Sequence, residues 1–145
     1  MTSAAVPRFG RKVGLTDEFW SAAGQGRLLR PVCGECGRSF FTPRWSCPFC
    51  RSEDWSYQLS TGRGRVYSST VVHRGPDESW TTPYVLAIVD LDEGWSMLSR
   101  LVLDEHTDPN CASFSGLDVA VRFVSEESPP HRMLPVFAPA SGSQP

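Results

Sequence analysis

Four cysteines stand in two pairs, Cys33-Gly-Glu-Cys36 and Cys47-Pro-Phe-Cys50, with ten residues between them. Two Cys-x-x-Cys hooks offer four thiolates, and four soft thiolates in a tetrahedron are the donor set of a structural zinc ion. The two-residue gap lets each hook curl round a metal while its free backbone amides point at the sulfurs. Gly37 follows the first hook and suits a tight turn, because glycine accepts positive φ. Arg51 holds the equivalent place after the second hook, which predicts a differently shaped turn or a strained one. The separation of the hooks is shorter than the roughly fifteen to twenty residues of the commonest template. Two alternatives therefore stand beside zinc: a pair of disulfides, and iron in a four-thiolate centre. Nothing else marks an electron-transfer partner site, and structural zinc on Cys33, Cys36, Cys47 and Cys50 is the expectation taken forward.

The remaining reactive side chains form no catalytic pattern. Lys12 is the only lysine and lies in a segment without periodicity, a poor setting for an imine-forming amine of lowered pKa. His73, His106 and His131 have no nucleophile patterned around them and read as structural or solvated. Cys111, the fifth cysteine, has no adjacent basic cluster to activate it. Gly24-Gln-Gly26 and Gly62-Arg-Gly64 are only superficially like dinucleotide loops, since the first ends a helix and the second starts a strand. These residues read as a binding or scaffolding module.

Composition narrows the partners. The 145 residues carry a formal charge of −2 and are 40% hydrophobic, ordinary for one core plus a metal-stapled appendage. No apolar run reaches the roughly eighteen residues of a membrane span, and the first residues lack an apolar signal core. A reducing cytoplasmic setting is expected, with thiolates reserved for metal. Residues 1–61 hold eight Lys/Arg against five Asp/Glu, and residues 62–145 hold six against eleven. An acidic second half argues against nucleic acid, whose backbone needs a basic surface.

The elements that must position the hooks follow in order. Residues 1–26 read as an arm and a short helix, with Thr16 as cap, Asp17 and Glu18 in the first turn, and Gly24 and Gly26 at the end. About two turns of helix do not stand alone, so Phe19 and Trp20 must dock on the chain itself or on another subunit. Residues 27–61 form the metal ribbon: a strand at 27–32, the hooks joined by Phe40, Phe41, Pro43, Arg44 and Trp45, then a strand at Trp55–Leu59. Residues 62–139 turn to strands. Over 65–73 a strict alternation puts Val66, Thr70 and Val72 on one face and Tyr67, Val71 and His73 on the other. Residues 84–91 are nearly continuously apolar and read as a central strand. Asp92-Glu-Gly94 is a hairpin turn, with strands at 95–103, 119–124 and 133–137. The last is placed on an edge because Pro135 donates no ladder bond. Residues 140–145 form a tail expected to be disordered. Five short strands in this length suit a small barrel, and the fold class is mainly β: a short helix, a zinc ribbon and an OB-fold barrel.

Together, Phe19-Trp20, Gly26-Arg27-Leu28, the cysteine quartet with Gly37, Pro43-Arg44, Trp55, Gly62-x-Gly64-x-Val66-Tyr67-Ser68, Val71-Val72-His73-Arg74, Pro83-Tyr84, Leu91-Asp92-Glu93-Gly94 and Leu134-Pro135-Val136-Phe137 resemble the acyl-CoA-associated OB-fold proteins with a rubredoxin-like zinc ribbon. Arg51 departs from the usual glycine, and Asp118 stands where proline is common. The resemblance implies a non-catalytic subunit that binds a thiolase-like enzyme of the lipid-transfer-protein type in an α2β2 assembly. The preferred partner is the aldolase or thiolase of bacterial steroid side-chain degradation, with a hot-dog-fold enoyl-CoA hydratase or a biosynthetic thiolase as the alternative. On this view Phe19, Trp20, Phe41, Arg44 and Trp45 face the partner. Arg63, Arg65 and Arg74 at the barrel rim receive the phosphates of coenzyme A. The rival from another class is a single-stranded nucleic-acid module.

Overall fold

The computed structural model describes residues 14–110, 113–126 and 130–140. Lys12 and the rest of the leading arm, Cys111, and residues 141–145 of the tail lie outside the described residues. A helix α1 (Asp17–Ala23) precedes strands β1 (Leu29–Cys33), β2 (Trp55–Leu59), β3 (Arg63–Val72), β4 (Tyr84–Leu91), β5 (Trp95–Leu101), β6 (Asp118–Ser125) and β7 (Met133–Pro139). Strands β1 and β2 pair antiparallel as the base of the ribbon, and the other five close a barrel in the order β3-β4-β5-β7-β6.

Helix α1 begins at Thr16, whose side chain makes no capping bond, contrary to the sequence expectation. Its other end follows glycine chemistry. Gly26 has φ +74, its amide donates to the Ala23 carbonyl, and the Arg27 amide donates to Ala22. That pair of bonds is a Schellman stop, which requires a left-handed residue at its centre. The helix docks on the chain itself. Phe19 is 3% exposed and meets the Phe41 ring at 5.6 Å, and Phe41 in turn meets Trp95 of the barrel at 5.6 Å. One continuous core therefore joins helix, ribbon and barrel.

The barrel corrects two expectations and bears out a third. A β-bulge interrupts β3 between Val66 and Ser68. Beyond it the faces are exchanged, as an extra residue must do in a structure of period two: Val66 and Val71 pack on the core, while Ser68 and Thr70 pair with the outward Ile88 and Leu86. Strand β4 is central as expected, paired with β3 on one side and β5 on the other. Val85, Ala87, Val89 and Leu91 point inward, and Ile88 and Asp90 are exposed. Strand β7 is no edge, for it lies between β5 and β6. Pro135 is tolerated because its carbonyl accepts from the Ser99 hydroxyl of β5 at 2.6 Å. A strand residue presents both backbone groups to the same side, so the missing N–H faces β5, where the parallel pairing is confined to Leu101 and Phe137.

The start of β3 explains the glycine pair. Gly64 is wedged between β4 and β6, opposite Leu91 and Val119, and a Cβ there would stand 2.3 Å from the Asp90 carbonyl oxygen. Gly64 thus permits close backbone approach where the barrel closes.

Candidate metal centre and partner surface

The two hooks adopt one turn. The Cys33 amide donates to the Arg38 carbonyl (2.9 Å) and the Gly37 amide to Cys33 (3.1 Å); the Cys47 amide donates to Ser52 (2.8 Å) and the Arg51 amide to Cys47 (3.0 Å). Gly37 and Arg51 share the left-handed conformation, at φ +72 and +67. Of the two outcomes open for Arg51, the strained one is observed. Behind the hooks Phe40 and Trp55 meet edge to face at 5.7 Å and form a small second core with Cys33 and Cys47.

The sulfurs converge. Cys33 Sγ and Cys50 Sγ are 3.5 Å apart, Cys36 Sγ and Cys47 Sγ are 3.7 Å apart, and all four lie within 4.8 Å of one another. A tetrahedron with metal–sulfur bonds of about 2.3 Å has edges of about 3.8 Å, so the cage fits a zinc ion, and a disulfide, at about 2 Å, joins none of them. Electrostatics agree. The Cys36 amide, first among several donors, holds the Cys33 thiol down to about 7. Burial pushes Cys47 up, but the Cys50 and Phe49 amides outweigh it and leave the group lowered. The Ser52 amide favours the Cys50 thiolate, yet the other thiols, Cys33 foremost, and burial push it up to about 11. Four thiolates cannot all ionise side by side without a cation between them. Cys33 and Cys47 are buried and Cys36 and Cys50 exposed, a shell closed on four sides by protein sulfur, which suits a structural ion.

The aromatics expected at a partner surface are largely engaged within the chain. Phe19 and Phe41 belong to the shared core, Trp20 lies under the Arg132 guanidinium at 4.8 Å, and the Trp45 indole donates to Glu53 at 3.0 Å. Arg44 is exposed. The three rim arginines do not converge. Arg65 is paired with Asp118 at 3.0 Å, Arg63 is exposed two residues before it, and Arg74 lies past the far end of β3. Val72 stands seven residues along the strand from Arg65, a distance of about 23 Å. The large exposed side chains are elsewhere: Phe49 and Leu59 on the ribbon, and Tyr67, Trp80, Ile88, Leu98 and Val102 on or beside the barrel's β3–β5 face. Sequence reasoning missed the barrel group. Its signal was the apolar residue at the outward position 88 of a strand already read as uniformly apolar.

Comparison with known proteins now bears on the whole arrangement. Residues 20–56 match the family model "ChsH2, rubredoxin-like zinc ribbon domain", and residues 57–124 match "ChsH2, C-terminal OB-fold domain". A "DUF35 domain-containing scaffold protein" of Methanothermobacter thermautotrophicus is 36% identical over 103 residues, 69% of this chain and 75% of that protein. The chain belongs to the DUF35 family. Among solved structures, the "Ltp2-ChsH2(DUF35) aldolase" contains a chain that superposes with a TM-score of 0.71 at 34% identity, covering 86% of this chain and 93% of that one. A "Probable enoyl-CoA hydratase alpha subunit" of Thermomonospora curvata is 37% identical over 123 residues, and the DUF35 chain spans 37% of its length. A "3-oxo-4,17-pregnadiene-20-carboxyl-CoA hydratase alpha subunit" of Mycobacterium tuberculosis is 44% identical over 46 residues, 32% of this chain and 15% of that protein. Zinc ribbon and five-stranded OB barrel are thus the family's architecture, with the cysteines where the ribbon places its metal. Among the described residues, no helix is long and apolar enough to cross a membrane.

Proposed function

We propose that this DUF35 chain is a non-catalytic subunit that binds and supports a thiolase-like acyl-CoA enzyme in an α2β2 complex. The partner in this reading is the aldolase of steroid side-chain degradation. The likeness to the aldolase-associated chain, extending over 86% of this one, carries the reading, and the steroid-CoA name of a relative supports the substrate class. Zinc pins the ribbon, and the partner supplies acid, base and nucleophile. Arg63 and Arg74, both exposed and outside any ion pair among the described residues, are freer to meet a coenzyme A phosphate than Arg65, which is held by Asp118.

Co-expression with Ltp2, followed by size-exclusion chromatography with light scattering, tests the assembly. Co-elution at the mass of two copies of each chain is expected, and separate elution at all concentrations overturns it. A second reading has its own support in the hydratase relative, which matches 84% of this chain. Under it the same experiment succeeds with a hot-dog-fold hydratase subunit and fails with Ltp2.

A further inference from the structure

The outer face of β3, β4 and β5 is unlike the rest of the barrel surface. On β6 and β7 the fully exposed outward side chains are polar, as at Asp118 and Arg122, while the apolar Val136 and Ala138 are buried. Here the register sets Ser68 opposite Ile88 and Ile88 opposite Leu98. The bulge adds Tyr67 as an extra outward side chain, the re-aiming that bulges provide. Tyr67 is 67% exposed, Ile88 38% and Leu98 63%. The next outward row contributes Leu86 opposite Arg100, and the row beyond it Tyr84, on which Trp80 packs with ring centroids 5.4 Å apart. Trp80, Tyr84, Val102 and Leu134 then line a cleft of about 630 Å³ at the barrel end. Five of the seven large hydrophobic side chains exposed among the described residues lie along this tract.

Charge restricts what can cover it. On one side Arg65 meets Asp118 at 3.0 Å, and Asp90 keeps its charge while accepting from the Ser96 hydroxyl at 2.6 Å. On the other side Arg100 shares the cleft with Asp77 and Glu126. The tract thus offers apolar area within a rim of two arginines and four carboxylates, wrong for a phosphate chain and suited to a protein surface that is apolar at its centre. Three strands span about 10 Å and the outward run of β4 about 14 Å, so the tract is the core of an interface whose rim must come from flanking residues.

Resting on the proposed subunit role, we infer that the β3–β5 face from Tyr67 to Trp80 docks the acyl-CoA enzyme, with Tyr67, Leu98 and Trp80 as anchors. The expected partner surface is apolar and uncharged at its centre. In this reading Phe19, Trp20 and Phe41, packed on the chain's own core, do not supply this contact.

The test measures Ltp2 binding to the full zinc-loaded chain by biolayer interferometry. Three variants join the wild type: Y67S/I88T/L98S, the single Leu98→Glu in case the triple variant misfolds, and Arg122→Ser as a control on β6. Circular dichroism and zinc content establish folding. Wild type and control binding alike, with each folded face variant at least tenfold weaker, is the expected result. Wild-type binding with less than a tenfold loss in a folded face variant overturns the docking face and leaves the subunit role standing. A wild type that ignores Ltp2 overturns both; self-association abolished by Leu98→Glu would then assign the face to a second copy. Salt-sensitive oligonucleotide binding lost in the same variant would assign it to nucleic acid.

Discussion

Arg51 carries the clearest single-residue signature of the metal centre. An L-residue at φ +67 is strained by about 1–2 kcal/mol, and Gly37 shows that the identical turn runs without strain on glycine. Arg51→Gly therefore relieves more than the roughly 0.5–1 kcal/mol of extra chain entropy that glycine brings. The zinc-loaded variant should resist urea slightly better than wild type; a clear loss of stability would mean that the guanidinium holds the ribbon in some way the turn does not reveal. The cysteine cage was legible in the sequence because its geometry is local: two hooks of fixed spacing dictate two similar turns, and four sulfurs follow. The setting of Arg65 was not legible, because one charge on a strand says nothing of the acid opposite it. Asp118, fifty-three residues from Arg65, is what takes up that guanidinium.

Two elements meet through one carboxylate. Glu93, in the β4–β5 turn, accepts from the Ser60 hydroxyl at 2.9 and 2.8 Å and from the Thr61 amide at 3.2 Å, and lies 3.8 Å from the Arg30 guanidinium of β1. Arg30 also donates to Ser39 within the ribbon. Removing Glu93 leaves the largely shielded Arg30 without its counter-charge and the Ser60 hydroxyl without its acceptor, so Glu93→Ala should cost about 3 kcal/mol, read as a lowered urea midpoint. A change within error would mean that the aromatic contacts alone hold ribbon to barrel. Zinc governs the other end of the ribbon. Chelation should lose the ribbon's structure, since a site this small draws its folding energy from the metal, while the barrel amides stay protected from hydrogen exchange. Equal protection with and without metal would refute that division. At this scale much of the fold could be read from sequence: β2 at Trp55–Leu59 and β4 at Tyr84–Leu91 have the bounds that turn residues and apolar runs predict. The failures share one cause. The bulge at Tyr67 and the insertion of β7 between β5 and β6 are decided by register between distant strands, which periodicity within one strand does not contain.

As a whole the molecule is a metal-pinned ribbon and a small closed barrel sharing one aromatic core. Among the described residues, five of the seven large exposed apolar side chains form a tract along one barrel wall. That layout suits a part that positions another protein: the ion stiffens the ribbon, the shared core fixes ribbon to barrel, and the tract is left for docking. The acidic barrel was legible in composition; the tract was not, because each of its residues reads as core until the register shows which way it points. The account's central claim is that this chain lends surface while its partner performs the chemistry. Turnover of a 3-hydroxyacyl steroid-CoA thioester tests that claim most directly, with product followed for the purified zinc-loaded chain, for Ltp2, and for the two mixed. The account predicts no cleavage by the chain alone and more by the mixture than by Ltp2 alone. Cleavage by the isolated chain, abolished by a point substitution in its own barrel, would contradict it.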